Sequence, residues 1–272
     1  MTEKNYATSF DIIQIALYAV VDDTKPYVNL AGDMCKQFQY YEDIMWPSYA
    51  ATMVIEDSAE NIISNMPIQG FEKVVIEVDD LTENGRYTYE FRVWNISNRI
   101  NVSRRQVYTL SLLSREGLRN EGIVVNKKLS DTTSGLARTI LKDYLQVSED
   151  KMDIEPSITN MVVLPTKKSP YSVIKSFLPK TISEKISKNN LNQNNSSKQS
   201  DIKSDISDSE TSEGSGTAGY LFFQTNRGFV FKSIDSLVSS DKDKFNGESV
   251  KSNNFYWQPA KLNEPSLFRI QE

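Results

Sequence analysis

Hydrophobic and polar positions alternate most regularly between Gln37 and Leu113. In residues 72–78, Val74, Ile76 and Val78 share one side of an extended chain. In residues 86–93 that side carries Tyr87, Tyr89, Phe91 and Val93, with Arg86, Thr88, Glu90 and Arg92 opposite. In residues 106–112 it carries Tyr108, Leu110 and Leu112. A period of two, with β-branched and aromatic residues on one face, predicts half-buried antiparallel strands. Residues 10–20, 27–30, 36–43 and 49–56 are further strand candidates. The first ends in an Asp22-Asp23-Thr24-Lys25-Pro26 turn, and Trp46-Pro47 separates the last two, because proline removes a ladder donor. Residues 58–65 fit a short helix with Ser58 as N-cap and Pro67 as its stop. The pattern predicts a small antiparallel β-barrel or sandwich over residues 1–115, with the barrel as the assigned fold.

From Arg115 the pattern changes. Thr132 or Thr133 caps a predicted helix to about Leu145, whose stripe of Leu136, Ile140, Leu141 and Tyr144 reads as core. Residues 160–164 are a strand candidate. A second helix starts at Ser169-Pro170 and runs to about Leu178, with proline at the first helical position. Residues 219–224 and 228–233, joined at Thr225-Asn226-Arg227, predict a hairpin. These elements make a small α+β domain over residues 116–240, so the fold class is α+β and mainly β. Within it, residues 183–216 are rich in Ser, Asn, Lys and Asp and hold no aromatic residue. Such a tract cannot offset the entropy of ordering its backbone, and it reads as a disordered insertion. Residues 241–272 are a polar C-terminal segment.

Composition narrows the function classes. A net charge of −5 argues against a general nucleic-acid binder, whose phosphate affinity needs clustered Lys and Arg. The single cysteine, Cys35, excludes an internal disulfide and reads as a small apolar strand residue. The chain has no histidine, which removes the commonest general acid-base and the usual zinc ligand. No basic region followed by an apolar core begins the chain. The run from Ile12 to Val21 is too short to span a bilayer, so no membrane role is expected.

Few constellations suggest chemistry. Glu42-Asp43, read in a strand, would point to opposite faces, and Asp79-Asp80 opens an ordinary Asn-Gly turn. A glycan hydrolase using Glu42 or Asp43 would need both carboxylates in one cleft. Arg104-Arg105 and Lys127-Lys128 read as isolated basic pairs. No phosphate-binding glycine loop or nucleophile elbow occurs, so no catalytic, cofactor-binding or metal residue is assigned and no enzyme is expected. The aromatic run of Tyr40, Tyr41 and Trp46, followed by Pro47, exceeds what a barrel core needs. Alternation prevents Tyr40 and Tyr41 from both facing inward, and Tyr and Trp anchor protein interfaces. These four residues are the candidate interface, open to the alternative that the chain is a stand-alone barrel adaptor gripping a partner protein there.

One ordered set of residues resembles a known family. Phe38 to Ile44 with Pro47-Ser48, Asn65 to Val74, Tyr89 to Val93, Arg105 to Ser114 and Asn120 to Gly122 belong to it. Lys167 to Ile174, Gly216 to Phe223 and Gly228 to Asp235 complete it. Together they resemble the central baseplate hub proteins of T-even-like contractile-tailed phages, especially those of marine phages, from about Phe10 to Leu237. The resemblance implies a structural virion protein: a homotrimer of tube-type barrels that joins the tail tube protein to the central spike protein, surrounded by baseplate wedge proteins. DNA would pass through its lumen without specific binding, and assembly would take place in the host cytoplasm. The chain departs from the family at its end, where a second tube barrel should follow. Residues 241–272 are expected to be the start of that barrel, or a second polypeptide supplies it.

Overall fold

The computed structural model describes residues 11–20, 24–31, 34–57, 68–79, 86–102, 105–184, 219–238, 244–245, 248–249, 256–258 and 269–271. The predicted helix at 58–65, Asp80 and nearly all of the polar tract lie outside them. Two compact units emerge, one of Met1–Glu42, Ser48–Leu118 and Ser249–Glu272, the other of Asp43–Pro47 and Arg119–Glu248.

The first unit is built on one antiparallel sheet of seven strands: β1 (Asp11–Tyr18), β2 (Pro26–Asn29), β3 (Cys35–Tyr41), β4 (Ala50–Asp57), β5 (Lys73–Asp79), β6 (Arg86–Val102) and β7 (Arg105–Leu113). Their spatial order is β2-β1-β5-β6-β7-β4-β3. The alternation has its expected result: Val74 and Ile76, Phe91 and Val93, and Tyr108, Leu110 and Leu112 all fall in one buried cluster with Ala51, Met53 and Ile55 of β4. The sheet curls around that cluster. Strands β3 and β6 are three places apart, which in a flat sheet would separate them by about 14 Å. Yet the Tyr40 and Tyr89 rings lie 4.8 Å apart, and those of Phe38 and Phe91 lie 6.5 Å apart.

Strand β6 runs nine residues beyond the predicted end at Val93. Its first part pairs with β5, from Asp79↔Arg86 to Lys73↔Arg92, and its second part pairs with β7, from Arg92↔Leu113 to Val102↔Arg105. Irregularities between Val93 and Asn95 and between Ser97 and Ile100 interrupt the ladder. The first makes Trp94 an extra residue and turns Ile96, rather than an odd-numbered side chain, toward the core. The alternating signal stops there, although the strand does not.

The second unit joins a three-stranded sheet, a two-stranded sheet and short helices. Helix α1 (Arg115–Gly122), which the apolar pattern does not predict, leads into the unit. Strands β8 (Leu129–Thr132) and β10 (Asn160–Val163) pair antiparallel. β9 (Met152–Ile154) runs parallel to β12 (Gly228–Ser233), which forms the predicted hairpin with β11 (Tyr220–Thr225). Helix α2 (Thr133–Thr139) starts at Thr132, whose hydroxyl accepts the Gly135 N–H at 3.1 Å. It continues as a π-helical turn, Ile140–Tyr144. Leu136, Ile140 and Leu141 are buried and Tyr144 packs against them, so the predicted stripe is core. Helix α3 (Pro170–Phe177) has proline in its first turn, and α4 (Ile234–Val238) follows the hairpin.

A buried carboxylate ties this unit together. Glu155 accepts the Ser183 hydroxyl, the Ser233 N–H at 2.7 Å and the Ser233 hydroxyl at 2.9 Å. Ser183, which composition assigns to the polar tract, is therefore a buried member of the folded unit. The C-terminal segment contributes two short pairs, Lys244–Phe245 with Glu248–Ser249 and Tyr256–Gln258 with Arg269–Gln271.

Candidate protein interface

Strand β3 decides what Tyr40 and Tyr41 do. Consecutive strand residues point to opposite faces. Tyr40 points inward, where its ring meets Tyr49, Tyr89 and Phe91 at 4.8–6.1 Å. Its hydroxyl donates to the Glu42 carboxylate. Burial, aided by that bond, raises the phenol well above its usual range. Tyr41 points outward and is 49% exposed. It donates to Gln39 Oε1 at 2.5 Å along the outer face.

The loop residues of the second unit present a different surface. Asp43 shapes the turn: its carboxylate accepts the Met45 N–H at 2.8 Å and its carbonyl accepts the Trp46 N–H at 3.0 Å. Ile44, Met45 and Trp46 are all more than half exposed, whereas Pro47 is buried. The Lys175 ammonium sits 4.8 Å from the Trp46 ring centroid. Of the four predicted interface residues, Tyr41 and Trp46 thus show large surfaces, while Tyr40 and Pro47 are packed inside their own units.

Glu42, Asp43 and Asp79 are engaged locally. β3 ends at Tyr41, so Glu42 and Asp43 are loop residues, not the strand positions the sequence suggests. Asp79 lies 3.8 Å from Arg86 at the mouth of the β5–β6 hairpin. Among the described residues no three His, Cys, Asp or Glu side chains are grouped as a metal site would require. Cys35 is half-buried at the start of β3, and desolvation pushes its thiol upward.

Two further surface features belong to the first unit. The first is the sheet's pair of outer strands. Among the described residues β2 pairs only with β1 and β3 only with β4. The second is the corner before β5. The buried Glu72 carboxylate accepts the Gln69 N–H at 2.7 Å and the Gly70 N–H at 2.9 Å. That loop holds Phe71 at φ 74°, a left-handed conformation rare for a bulky residue, with its ring 62% exposed. Trp94 is also exposed, and a cleft of about 350 Å³ lies against Gln69, Gly70, Trp94 and Arg99. The alternation in residues 72–93 gave no warning, because both aromatics occupy breaks in it.

No protein-family model matches the chain, and no curated protein matches it. Among solved structures it is similar to a 43 kDa tail protein of prophage MuSo2 from Shewanella oneidensis. The identity is 9%, the TM-score is 0.49, and the match covers 80% of this chain and 54% of that one. It is similar to a tail protein from Neisseria meningitidis MC58 at 10% identity and TM-score 0.41, over 61% of this chain and 43% of that one. A third is an E. coli component of the type VI secretion system with structural similarity to T4 bacteriophage tail proteins. There the identity is 9% and the TM-score 0.35, over 62% of this chain and 40% of that one. The chain spans about half or less of each of these proteins. These three are two tail proteins and one component of a type VI secretion system.

Proposed function

We propose that this chain is a structural component of a phage-tail baseplate hub, joining the tail tube to the central spike within a trimeric ring. One observation carries the reading: a curled antiparallel sheet whose outer strands β2 and β3 each have a single partner among the described residues. An open edge is a template for another strand, and a closed ring of copies uses up such edges without runaway association. The ordered residue set that resembles the hub family supports the same conclusion. The net charge of −5 suits a channel through which DNA slides without adhering. The function is mechanical and non-enzymatic, with tube, spike and wedge proteins as partners and the virion baseplate as its location.

Light scattering on the purified full chain, alone and mixed with tube and spike proteins, tests this. The expected mass is that of three chains, and Gln37→Lys with Gln39→Lys on β3 should lower it to one. A strictly monomeric wild-type chain at high concentration, with or without those partners, overturns the ring.

A second reading has its own observation. Ile44, Met45 and Trp46 form a consecutive exposed apolar run, as a stand-alone adaptor would use to grip a partner. Under that reading Trp46→Ala abolishes partner binding and leaves the oligomeric mass unchanged.

A further inference from the structure

The outer face of β10 carries the wrong residues for a strand that ends in water. Met161 and Val163 pack inward on the core of the second unit. Val162 and Leu164 point outward and are 60% and 70% exposed. A strand apolar on both faces is characteristic of one that is covered on both. Among the described residues its edge is open as well. Upstream, residues 156–158 are bonded to the 182–184 segment, with Ile158 N–H donating to the Ile182 carbonyl at 3.1 Å. From Asn160 onward β10 has β8 on one side and no described strand on the other. The sequence from Ile158 to Pro165 contains no charged residue, although charge is the usual means of blunting an edge.

The same strand pair ends in a concentration of positive charge. The register that pairs Val163 with Leu129 sets Leu164 beside Lys128 at the next step. Lys127 adjoins it, and the Val125 N–H donates to the Lys168 carbonyl at 2.8 Å, bringing in Lys167 and Lys168 from some forty positions away. Lys167 is left-handed at φ 50°, at the bend between β10 and α3. All four lysines are exposed, and among the described residues none makes an ion pair. Four such lysines in a chain of net charge −5 form a local field of the opposite sign.

We propose that the β10 edge docks an extended segment of a partner protein. That segment has acidic residues at the lysine end, followed by alternating apolar residues that cover Val162 and Leu164. Added antiparallel, it begins with its acids at Lys127, Lys128, Lys167 and Lys168 and turns the two-stranded sheet into three. The adjoining apolar surface favours a polypeptide over nucleic acid, because a polyanion would leave Val162 and Leu164 uncovered. The β10 edge is separate from β2 and β3, so this inference stands or falls independently of the hub reading.

Fluorescence anisotropy on the full chain tests it, with a labelled synthetic peptide of two aspartates followed by alternating valine and threonine. A peptide with lysines in place of the aspartates and a short DNA duplex serve as comparisons. The acidic peptide is expected to bind at least about tenfold tighter than the lysine-headed one. Lys167→Glu with Lys168→Glu should remove that preference, and Val162→Asp should abolish binding with an unchanged melting curve. Because Val162→Asp lies beside the core, Lys127→Glu with Lys128→Glu supplies a variant in exposed loop residues, which should likewise remove the preference for the acidic head. Three results overturn the proposal: no distinction between the two peptide heads, duplex bound as tightly as the acidic peptide, or a fall in oligomeric mass on Val162→Asp. The second would make the patch a polyanion site, and the third a contact between copies.

Discussion

The two units bury their interiors by different means. In the first, one curled sheet turns every second residue inward, and among the described residues only Ser48, Asp57, Glu72 and Ser114 are buried polar residues. In the second, Asn120, Thr133, Asp153, Glu155, Ser157, Thr181, Ser183, Gln224, Ser233 and Ser236 are all buried. Asp153 pairs with Lys232 at 2.6 Å across β9 and β12, and Thr133 donates to Ser157 at 2.7 Å. The sheet unit is specified by register, since a one-residue slip would turn its whole apolar face to solvent. The mixed unit is specified by polar groups that must find particular partners, each of which is expensive to leave unmade.

Substitutions can break that contrast, beginning with the largest effect. Phe91→Ala removes a fully buried ring in contact with Phe38, Tyr40, Tyr49 and Tyr89. It should destabilise the first unit by about 4 kcal/mol. Hydrogen exchange read by mass spectrometry should show faster exchange in β4 and β7 with α3 and β12 unaffected; equal acceleration in both would show that the units do not unfold separately. Gly228→Ala should act on the second unit alone. Gly228 has φ 147°, and an added Cβ would fall 2.3 Å from the Lys151 carbonyl oxygen. Backbone crowding and the disfavoured φ together should lower its urea midpoint by an amount equivalent to about 3 kcal/mol.

Glu155→Gln sharpens the comparison, because it keeps the shape and removes the charge that three donors share. A loss of about 2 kcal/mol is expected in the second unit, with faster exchange of the Ser183 and Ser233 amides. Trp46→Ala deletes the ring under Lys175 and should lower that unit's stability by about 0.5–1 kcal/mol in a denaturant titration.

The smallest effect is a pH dependence. Hydrogen bonds from Lys142 and then Arg138 hold Glu149 below its ordinary value of 4.5. Its folded value being the lower, the unfolded chain binds more protons. The contribution is therefore present above pH 4.5 and fades as pH falls through the folded value. Glu149 is exposed and screened, so Glu149→Gln should change stability by less than about 0.5 kcal/mol at neutral pH and by nothing at the acid end.

Much of the first unit could be read before any coordinates. The strands of residues 72–78 and 106–112 fall within a residue of their predicted ends, because their alternation is uninterrupted. The pattern stops β6 at Val93 because Trp94 breaks the alternation while preserving the strand. The order of the strands was not legible, since nothing in the apolar pattern of β1 says that it lies between β2 and β5. Helix α1 escaped notice because its eight residues hold Arg115, Glu116, Arg119 and Glu121 and only one aliphatic side chain larger than a methyl, Leu118. For the interface, alternation separated Tyr40 from Tyr41 as the coordinates do. It did not reveal that Lys127-Lys128, an isolated pair along the chain, meets a second lysine pair once Val125 bonds to Lys168.

The sheet order also carries a consequence for how the chain is made. The central β5-β6-β7 meander is flanked by β1-β2 on one side and β4-β3 on the other, and both flanking hairpins are synthesised before it. At about 5–20 residues per second, the ribosome takes roughly 3–11 s to go from Asp57 to Leu113. During that interval the β3-β4 hairpin has no β7 to dock on, whereas β1-β2 meets β5 as soon as Asp79 is made, so β3-β4 is where a chaperone would be needed first.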